Sequence, residues 1–439
     1  MIASPRRFRL GGIVPALRTP LIQDTRVWNA SLPAAALVPL QVRDFEPAVC
    51  VVKPGDRVKE GMILGTASDR SLAVHAPIPG IVREIRRFDL PGVGETEGVI
   101  IDFQGEFDRL GRPQNLLDWK TLSPGQILSK LQSTGVIEMS RRRLGFVDSL
   151  RSLVSSSATR IHIIIGAFDS DPLLRTEETI VRDFLEPMVG GLQILGYLFP
   201  GAEFHLAYNW RSRAGAHTLF SRVKKSVKIS RISVSDYYPQ ADDLMLLSAV
   251  TGKELPEGTS LAQKGYCITS PSTLLAVYQA IALNQPVIER ILTVTGGALG
   301  QPRIIKARLG TNIAELLREC GRLTKEPAKV VLGDSFQGIP VTQLDTPLTK
   351  DTSGILVLEE SEIHEEPTKE CIQCGLCASS CPAGLDPMRL YKMLDLGHSS
   401  HAFREGLDLC TTCGICSSIC PSRIPLTSSF AREKENIRG

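Results

Sequence analysis

The sequence of 439 residues lacks any long hydrophobic run, although hydrophobic residues make up 43% of it. A helix that crosses a membrane needs about 18 to 20 consecutive apolar residues. The nearest candidate, residues 188–200, is too short and contains several glycines. The first ten residues include arginines but no apolar segment of the kind found in a secretory signal. We therefore expect a chain without a membrane span, working in the reducing cytoplasm.

An excess of charge of one sign is also missing. Lys and Arg together number 50 against 47 for Asp and Glu, which leaves a net charge of +3. This balance provides no electrostatic case for nucleic acid as a partner. Charged residues make up 22% of the chain, which is typical of a folded protein rather than a disordered one. At about 100–200 residues per domain, two to four domains are expected.

Cysteine, in contrast, is abundant and clustered. Of eleven cysteines, eight fall between residues 371 and 420. A disulfide framework is typical of short secreted chains that cannot build a core, and this chain is long enough to build several. Clustered thiols in a reducing compartment are more often metal ligands. We expect the three isolated cysteines to behave as small buried hydrophobes: Cys50, Cys267 and Cys320.

The eight clustered cysteines form two runs with one spacing, C-x2-C-x2-C-x3-C-P, at residues 371–382 and 410–421. This spacing is the bacterial pattern for [4Fe–4S] clusters, in which three closely spaced thiolates hold one cluster. The fourth cysteine, before the proline, ligates the other cluster in two-cluster proteins. The predicted ligands are Cys371, Cys374, Cys377 and Cys420 for one cluster, and Cys410, Cys413, Cys416 and Cys381 for the other.

Structural zinc is the alternative, but zinc sites usually take two ligand pairs with a longer spacer. The 28 residues between Cys381 and Cys410 read as helical, since Asp386 can cap a helix that begins at Pro387 and ends near Gly397. An α-helical dicluster domain is therefore predicted. Its apolar side chains are expected to exclude water from the clusters: Ile372, Leu376, Ile415 and Ile419.

Short apolar runs and turn signals alternate over residues 47–85, which predicts a small β-barrel or sandwich. The pattern resembles lipoyl and biotinyl carrier domains. Those carriers need a Lys at a hairpin tip, and here residues 74–77 have none, so carrier function is not expected. His75 at this tip is interpreted as structural.

From about residue 117 to 285 the pattern changes to helical periods alternating with apolar strands. Residues 160–168 are typical of a strand covered on both faces, and residues 176–184 and 272–283 of helices. This alternation predicts an α/β layer. A second β-rich unit follows, with strands at 287–297 and 303–310 and a helix at 311–321.

The order of these segments resembles the C subunit of the Rnf-type ion-translocating electron transport complex, a ferredoxin:NAD oxidoreductase. Besides the cysteine runs, the resemblance rests on G-G-I-x-P at 11–15, Y-P-Q at 238–240, and the stretches 288–296 and 353–356. It implies a multidomain α/β plus α fold. The implied parts are an N-terminal segment (1–30), a lipoyl-like barrel-sandwich (31–110), a Rossmann-like α/β domain (117–285), an SLBB-type β-grasp unit (286–345) and a helical dicluster ferredoxin domain (360–439).

The resemblance also implies FMN and NADH sites in the α/β domain, where the family has a G-M-G-G-A-G-F-P-T loop followed by Lys. Here Arg141, Arg142 and Arg143 stand where glycines are expected, and no Lys occurs from residue 131 to 223. The family's N-G-A-E-C-E-P corresponds to residues 166–172, whose acids are Asp169 and Asp171. Either the arginines form a replacement phosphate clamp for FMN, or the flavin site has degenerated. The loss of the glycines favours degeneration, because only residues without side chains let backbone N–H groups approach phosphate closely.

Three functions follow from the resemblance. The chain transfers electrons between NAD(H), flavin and ferredoxin-side carriers as a peripheral subunit on the cytoplasmic face of the inner membrane. Alternatively, it relays electrons through two [4Fe–4S] clusters from another donor without nucleotide chemistry, or it is a structural docking subunit. A cobalamin-reducing protein of bacterial microcompartments shares the architecture and is the nearest alternative family. The expected partners are the membrane subunits of the complex and a redox carrier such as ferredoxin.

Overall fold

A computed structural model describes residues 4–15, 22–69, 71–107, 110, 115–140, 145–169, 171–255, 259–363 and 366–438. Within these residues, no helix has both the length and the apolar character that a membrane crossing requires. The barrel, the α/β layer and the second β-rich unit share one continuous hydrophobic core, and the C-terminal helices have a separate one.

The first unit consists of two small antiparallel sheets whose buried side chains belong to the same hydrophobic core. The first strand of the chain, β1 Val27–Asn29, belongs to a sheet described below. The strands of the first unit are β2 Ala35–Pro39, β3 Ala48–Cys50, β4 Arg57–Val58, β5 Ile63–Ala67, β6 Ala73–His75, β7 Gly80–Leu90 and β8 Gly94–Phe103. The sheet orders are β2-β8-β7-β4 and β3-β5-β6. Leu64, Leu72 and Ile101 belong to this core and are fully buried.

His75 lies at the end of β6 and is buried, in agreement with a structural role. Burial and the neighbouring Lys350 lower the pKa of His75 to about 3, so its imidazole stays neutral. Lys350 donates from Nζ to the carbonyl oxygens of Ala73 at 2.7 Å and Gly135 at 3.0 Å. This single side chain therefore links the barrel to the α/β unit from a third part of the chain.

The second unit is a parallel α/β layer. Its elements are α1 Pro124–Ser133, α2 Phe146–Val154, β9 His162–Gly166, α3 Thr176–Asp183, α4 Leu185–Leu198, β10 Glu203–Tyr208, α5 Arg213–Val223, β11 Ile229–Ser233, α6 Asp243–Thr251, β12 Tyr266–Thr269 and α7 Pro271–Ala282. The strand order is β11-β10-β9-β12, and all neighbours are parallel. The β-branched run in β9 is fully buried because helices cover both faces of the sheet.

The third unit is a mixed sheet with one helix. Its elements are β13 Glu289–Thr295, β14 Arg303–Arg308, α8 Ile313–Glu319, β15 Lys329–Leu332, β16 Ile339–Val341 and β17 Gly354–Leu358. The strand order is β1-β14-β13-β17-β15-β16. The predicted range 286–345 omits two of these strands, since β1 from the N-terminal segment joins one edge and β17 lies between β13 and β15. The linear pattern locates strands but does not reveal such distant pairings.

The C-terminal unit is helical. Its elements are α9 Leu376–Ser379, α10 Pro387–Asp395, α11 Ser399–Arg404, α12 Ile415–Ser418 and α13 Leu426–Arg438. Asp386 caps α10 as expected, because its carboxylate accepts the N–H of Arg389 at 3.1 Å. Gly397 follows this helix in the left-handed conformation, with φ of 74°. The fully buried Phe430 of α13 belongs to the small core of this unit.

Candidate iron–sulfur and flavin sites

The two cysteine runs adopt the same local conformation. In each run the third residue has a positive φ, 55° at Gln373 and 52° at Thr412, and a left-handed glycine precedes a short helix. The backbone N–H groups of Gln373 and Thr412 point at the first sulfur of their own run, Cys371 Sγ and Cys410 Sγ, each at 3.4 Å. Such loops, with N–H groups directed at sulfur, suit thiolate ligands of a metal cluster.

The structure brings each run together with the last cysteine of the other. One cavity, here called the inner site, contains Cys410, Cys413 and Cys416 together with Cys381. A second cavity, the outer site, contains Cys371, Cys374 and Cys377 together with Cys420. These are the same two groups of four that the spacing predicts. Four thiols around one cavity fit a [4Fe–4S] cluster, and all eight cysteines are free of disulfides.

The two sites differ in their exposure to solvent. At the inner site Cys413 and Cys416 are buried, and Ile415 beside them is 1% exposed. Burial raises the pKa of Cys413 to about 12 and that of Cys416 to about 11, so as free thiols they are poor nucleophiles. At the outer site Cys374 is exposed.

The prediction that apolar neighbours exclude water is wrong for the outer site. Ile372 is 67% exposed and Leu376 is 46% exposed, whereas the inner site does have a buried isoleucine. The reason lies in the tertiary structure. The cysteine segments of the inner site contact Gly11 and Tyr238 from distant parts of the chain. The described residues that line the outer site, Met388 and Leu396 among them, all belong to the helical unit itself.

The N-terminal glycines hold the inner site. Gly12 donates its N–H to the carbonyl oxygen of Ser380 at 2.9 Å. Gly11 lies so close that a Cβ added to it would be 2.4 Å from the carbonyl oxygen of Cys381. A side chain at position 11 would therefore displace the backbone of a predicted cluster ligand.

An aromatic pair contacts the second cysteine run at the inner site. The Tyr238 hydroxyl donates to the carbonyl oxygen of Cys413 at 2.7 Å, and the Tyr238 ring stacks on Phe336 with centroids 4.1 Å apart. Gly414 packs on the backbone of Phe336, where a Cβ would be 2.6 Å from its carbonyl oxygen. The motifs at 11–15 and 238–240, which carry the family resemblance, thus contact one site. Sequence reasoning missed Phe336, which is not part of any motif.

In the flavin region, Arg141, Arg142 and Arg143 lie outside the described residues. Asp169 follows β9 and is buried. Its carboxylate accepts the N–H groups of Thr176 at 3.0 Å and Glu177 at 3.1 Å, which begin α3. Burial and the charges of Glu177 and Glu178 raise the pKa of Asp169. The carboxylate thus occupies the helix N-terminus where an anionic ligand would otherwise bind.

Asp171 also faces inward rather than toward a ligand. It is fully buried and accepts the N–H of Leu173 at 2.7 Å and both the N–H and the hydroxyl of Ser335. The contact with Ser335 joins the α/β layer to the third unit. Both predicted flavin acids therefore have internal structural partners.

The ligand crevice of the α/β layer is expected where the strand order changes direction, at the carboxyl ends of β9 and β12. Glu177 lies there, fully engaged with the first turn of α7: its carboxylate accepts the N–H of Ser272 at 2.8 Å and the Ser272 hydroxyl at 2.6 Å. Burial raises the pKa of Glu177. Glu138 accepts the hydroxyl of Thr269, the last residue of β12, at 2.9 Å.

The buried guanidinium of Arg290 interacts electrostatically with Glu177 and Glu138. Arg290 of β13 is 2% exposed and donates to the carbonyl oxygens of Thr352, at 2.7 Å, and Met139. Burial lowers its pKa, and the charges of Glu177 and Glu138 oppose that shift. In the described part of the crevice, the chain's own carboxylates thus accept N–H groups at the N-termini of α3 and α7.

Three family models match the chain. The RnfC barrel sandwich hybrid domain matches residues 7–106, the Nuo51 FMN-binding domain residues 144–279, and the 4Fe-4S dicluster domain residues 370–424. The match to the FMN-binding domain starts after Arg143. Together with the cysteine geometry, these matches define a multidomain iron–sulfur electron-transfer protein.

Curated relatives indicate to which family of iron–sulfur electron-transfer proteins the chain is similar. The chain is 25% identical over 381 residues to the C subunit of a proton-translocating ferredoxin:NAD(+) oxidoreductase complex from Clostridium ljungdahlii, covering 87% of this chain and 83% of the relative. It is 29% identical over 433 residues to the C subunit of the ion-translocating oxidoreductase complex of Rhodobacter capsulatus, covering 97% and 82%. The corresponding protein from Yersinia enterocolitica is 31% identical, with 98% and 61% covered. The chain belongs to the family of ion-translocating oxidoreductase C subunits.

A solved structure has a similar fold. An NAD+-reducing [NiFe]-hydrogenase chain superposes with a TM-score of 0.51 at 13% identity, covering 72% of this chain and 61% of that chain. At this identity the likeness concerns the fold alone. It supports the mixed α/β architecture that the sequence predicts.

Proposed function

We propose that this chain is the peripheral electron-transfer subunit of an Rnf-type ion-translocating complex and holds two [4Fe–4S] clusters. The observation that carries the proposal is the pairing of each cysteine run with the last cysteine of the other around one cavity. The ligands proposed for the outer site are Cys371, Cys374, Cys377 and Cys420, and those for the inner site Cys410, Cys413, Cys416 and Cys381. Such clusters accept and release single electrons.

The surroundings of the two sites support different roles for them. The outer site is open, with exposed Cys374 and Ile372, and a protein partner can approach it closely. Arg389 and Lys392 of α10 line the same cavity, so an acidic redox carrier of the ferredoxin type would be attracted to it. The inner site is largely buried and contacts other units of the chain through Cys381 and Cys413. Burial and backbone N–H groups are the means by which a protein tunes cluster potential.

We further propose that the chain relays electrons from a protein donor and does not oxidise NADH itself. The support is the crevice of the α/β layer, where Asp169 and Glu177 cover the N-termini of α3 and α7. A flavin phosphate would have to displace a buried carboxylate from each helix it approached. The lost glycines at residues 141–143 agree with this proposal.

Elemental and optical analysis of anaerobically purified protein tests both proposals. Two clusters require about eight iron atoms and eight acid-labile sulfides per chain. Bound zinc without labile sulfide would refute the iron–sulfur assignment. Stoichiometric FMN, or NADH oxidation by the isolated chain, would refute the relay proposal and leave the clusters in place.

A further inference from the structure

Three potential metal ligands converge on one face of the α/β sheet, away from the clustered cysteines. His162 begins β9, Glu203 begins β10, and His205 lies two residues further along β10. In the register of the parallel pair, Glu203 is opposite His162, and alternation places His205 on the same face. The candidate ligand atoms of these three side chains lie within 4.8 Å of one another. His162 and Glu203 are the first residues of their strands, so the group lies at the amino ends of the strands. The crevice described above lies at the carboxyl ends of the same strands.

From this arrangement we propose that His162, Glu203 and His205 bind a divalent zinc-type cation. The spacing of the ligand atoms is the first argument. His162 Nδ1 and His205 Nε2 are 3.1 Å apart, and two nitrogen ligands of tetrahedral zinc are about 3.3 Å apart. Glu203 Oε2 lies 3.8 Å from His162 Nδ1, so small side-chain movements complete a three-ligand site.

Outer partners orient these ligands. His205 Nδ1 is 2.9 Å from Ser230 Oγ, a contact that reserves Nε2 for a metal. The other oxygen of Glu203 accepts from Lys228 Nζ at 2.6 Å, which leaves Oε2 directed at His162. The His162 ring also stacks on Tyr266, with centroids 5.2 Å apart. Metal-binding histidines and carboxylates commonly have such second partners.

The site is accessible and its ligand set is chemically specific. The side chains of His162 and Glu203 are 18% and 25% exposed, so a cation can enter and water can take a fourth position. Two imidazoles and one carboxylate suit zinc, whereas magnesium and calcium prefer oxygen ligands alone. The positive charges of Lys228, Lys253 and Arg160 act against added positive charge at His162, so we expect a moderate affinity.

Calorimetric titration of the cluster-loaded, chelator-treated chain with Zn2+ tests the proposal. The wild-type chain is expected to bind one more equivalent of Zn2+ than the His162→Ala or His205→Gln variant binds. Ser230→Ala is expected to keep the site but to weaken it by about 10–100-fold. His217→Ala is the matched control, because His217 lies in the same domain outside the three-ligand group. The iron–sulfur absorbance of every variant checks that the cysteines still hold clusters and are not the zinc ligands. Far-ultraviolet circular dichroism checks that the α/β domain stays folded.

Cobalt substitution provides a second readout. The extra equivalent of Co2+ should give ligand-field bands without the intense thiolate-to-cobalt bands of cysteine ligation, and His205→Gln should lose them. Equal stoichiometry in wild type, His162→Ala and His205→Gln would overturn the proposal and leave a hydrogen-bonded histidine pair. Thiolate bands on the extra equivalent would overturn it as well.

Discussion

The contact of Gly11 with the inner site leads to a quantitative prediction. A Cβ at Gly11 would be 2.4 Å from the Cys381 carbonyl oxygen and 2.6 Å from that of Ser380. Both neighbours are backbone atoms, so no rotamer change relieves the overlap. Gly11 also has φ of 56°, where an L-residue with a side chain costs about 1–2 kcal/mol. Overpacking adds about 1–3 kcal/mol, so Gly11→Ala should cost about 2–5 kcal/mol in total.

Gly55→Ala is the matched control. Gly55 has φ of 91°, and nothing lies within 4 Å of its added Cβ. This variant therefore has the backbone cost without the overlap. The difference between the two variants isolates the contact with the Cys381 segment.

Iron content and the paramagnetic spectrum of reduced protein measure the effect. Gly11→Ala should lose about four of eight iron atoms, and the lost signal should be the one that Cys381→Ala also removes. Gly55→Ala should keep both signals. If Gly11→Ala keeps full iron content and the thermal midpoint of Gly55→Ala, the N-terminal glycines do not support the inner site.

The remaining predictions concern single side chains. Cys420→Ala should remove the paramagnetic signal of the outer cluster and leave that of the inner cluster, because Cys420 lines the outer site. Loss of the inner cluster's signal in the same paramagnetic spectra would contradict the proposed ligand sets. Tyr238→Phe should destabilise the inner site by about 1–3 kcal/mol, because the carbonyl of Cys413 loses its buried hydrogen-bond donor. The measurement is the rate of iron release in the presence of a chelator, which should rise. A rate as slow as that of the exposed control Tyr197→Phe would refute this prediction. Burial lowers the pKa of Lys350 from 10.5 to about 7, so between these pH values the unfolded chain holds a proton that the folded chain has lost. Stability to urea should therefore rise with pH across that window, by at most about 1.4 kcal/mol per pH unit, and Lys350→Met should reduce the slope; an unchanged slope would show that Lys350 is not the responsible group.

Much of the fold follows from local patterns in the sequence. Consecutive β-branched residues predict the strand at 162–166, because they suit a strand buried on both faces, and the start and stop signals Asp386, Pro387 and Gly397 predict α10. Hydrophobic periodicity does not say which strands pair. For this reason the predicted range 286–345 omits β1 and β17, which join the sheet from distant parts of the chain.

At the candidate sites, the cysteine spacing by itself predicts the two sets of four, since the ligand geometry of a cluster constrains residues that are close in sequence. Only the tertiary structure decided the environment of each set. It covered the inner site with Gly11, Tyr238 and Phe336 and left Ile372 of the outer site in solvent. It also placed Asp169 and Glu177 on helix N-termini in the crevice. Burial and long-range hydrogen bonds depend on how separate segments pack, and no local spacing in the sequence encodes them.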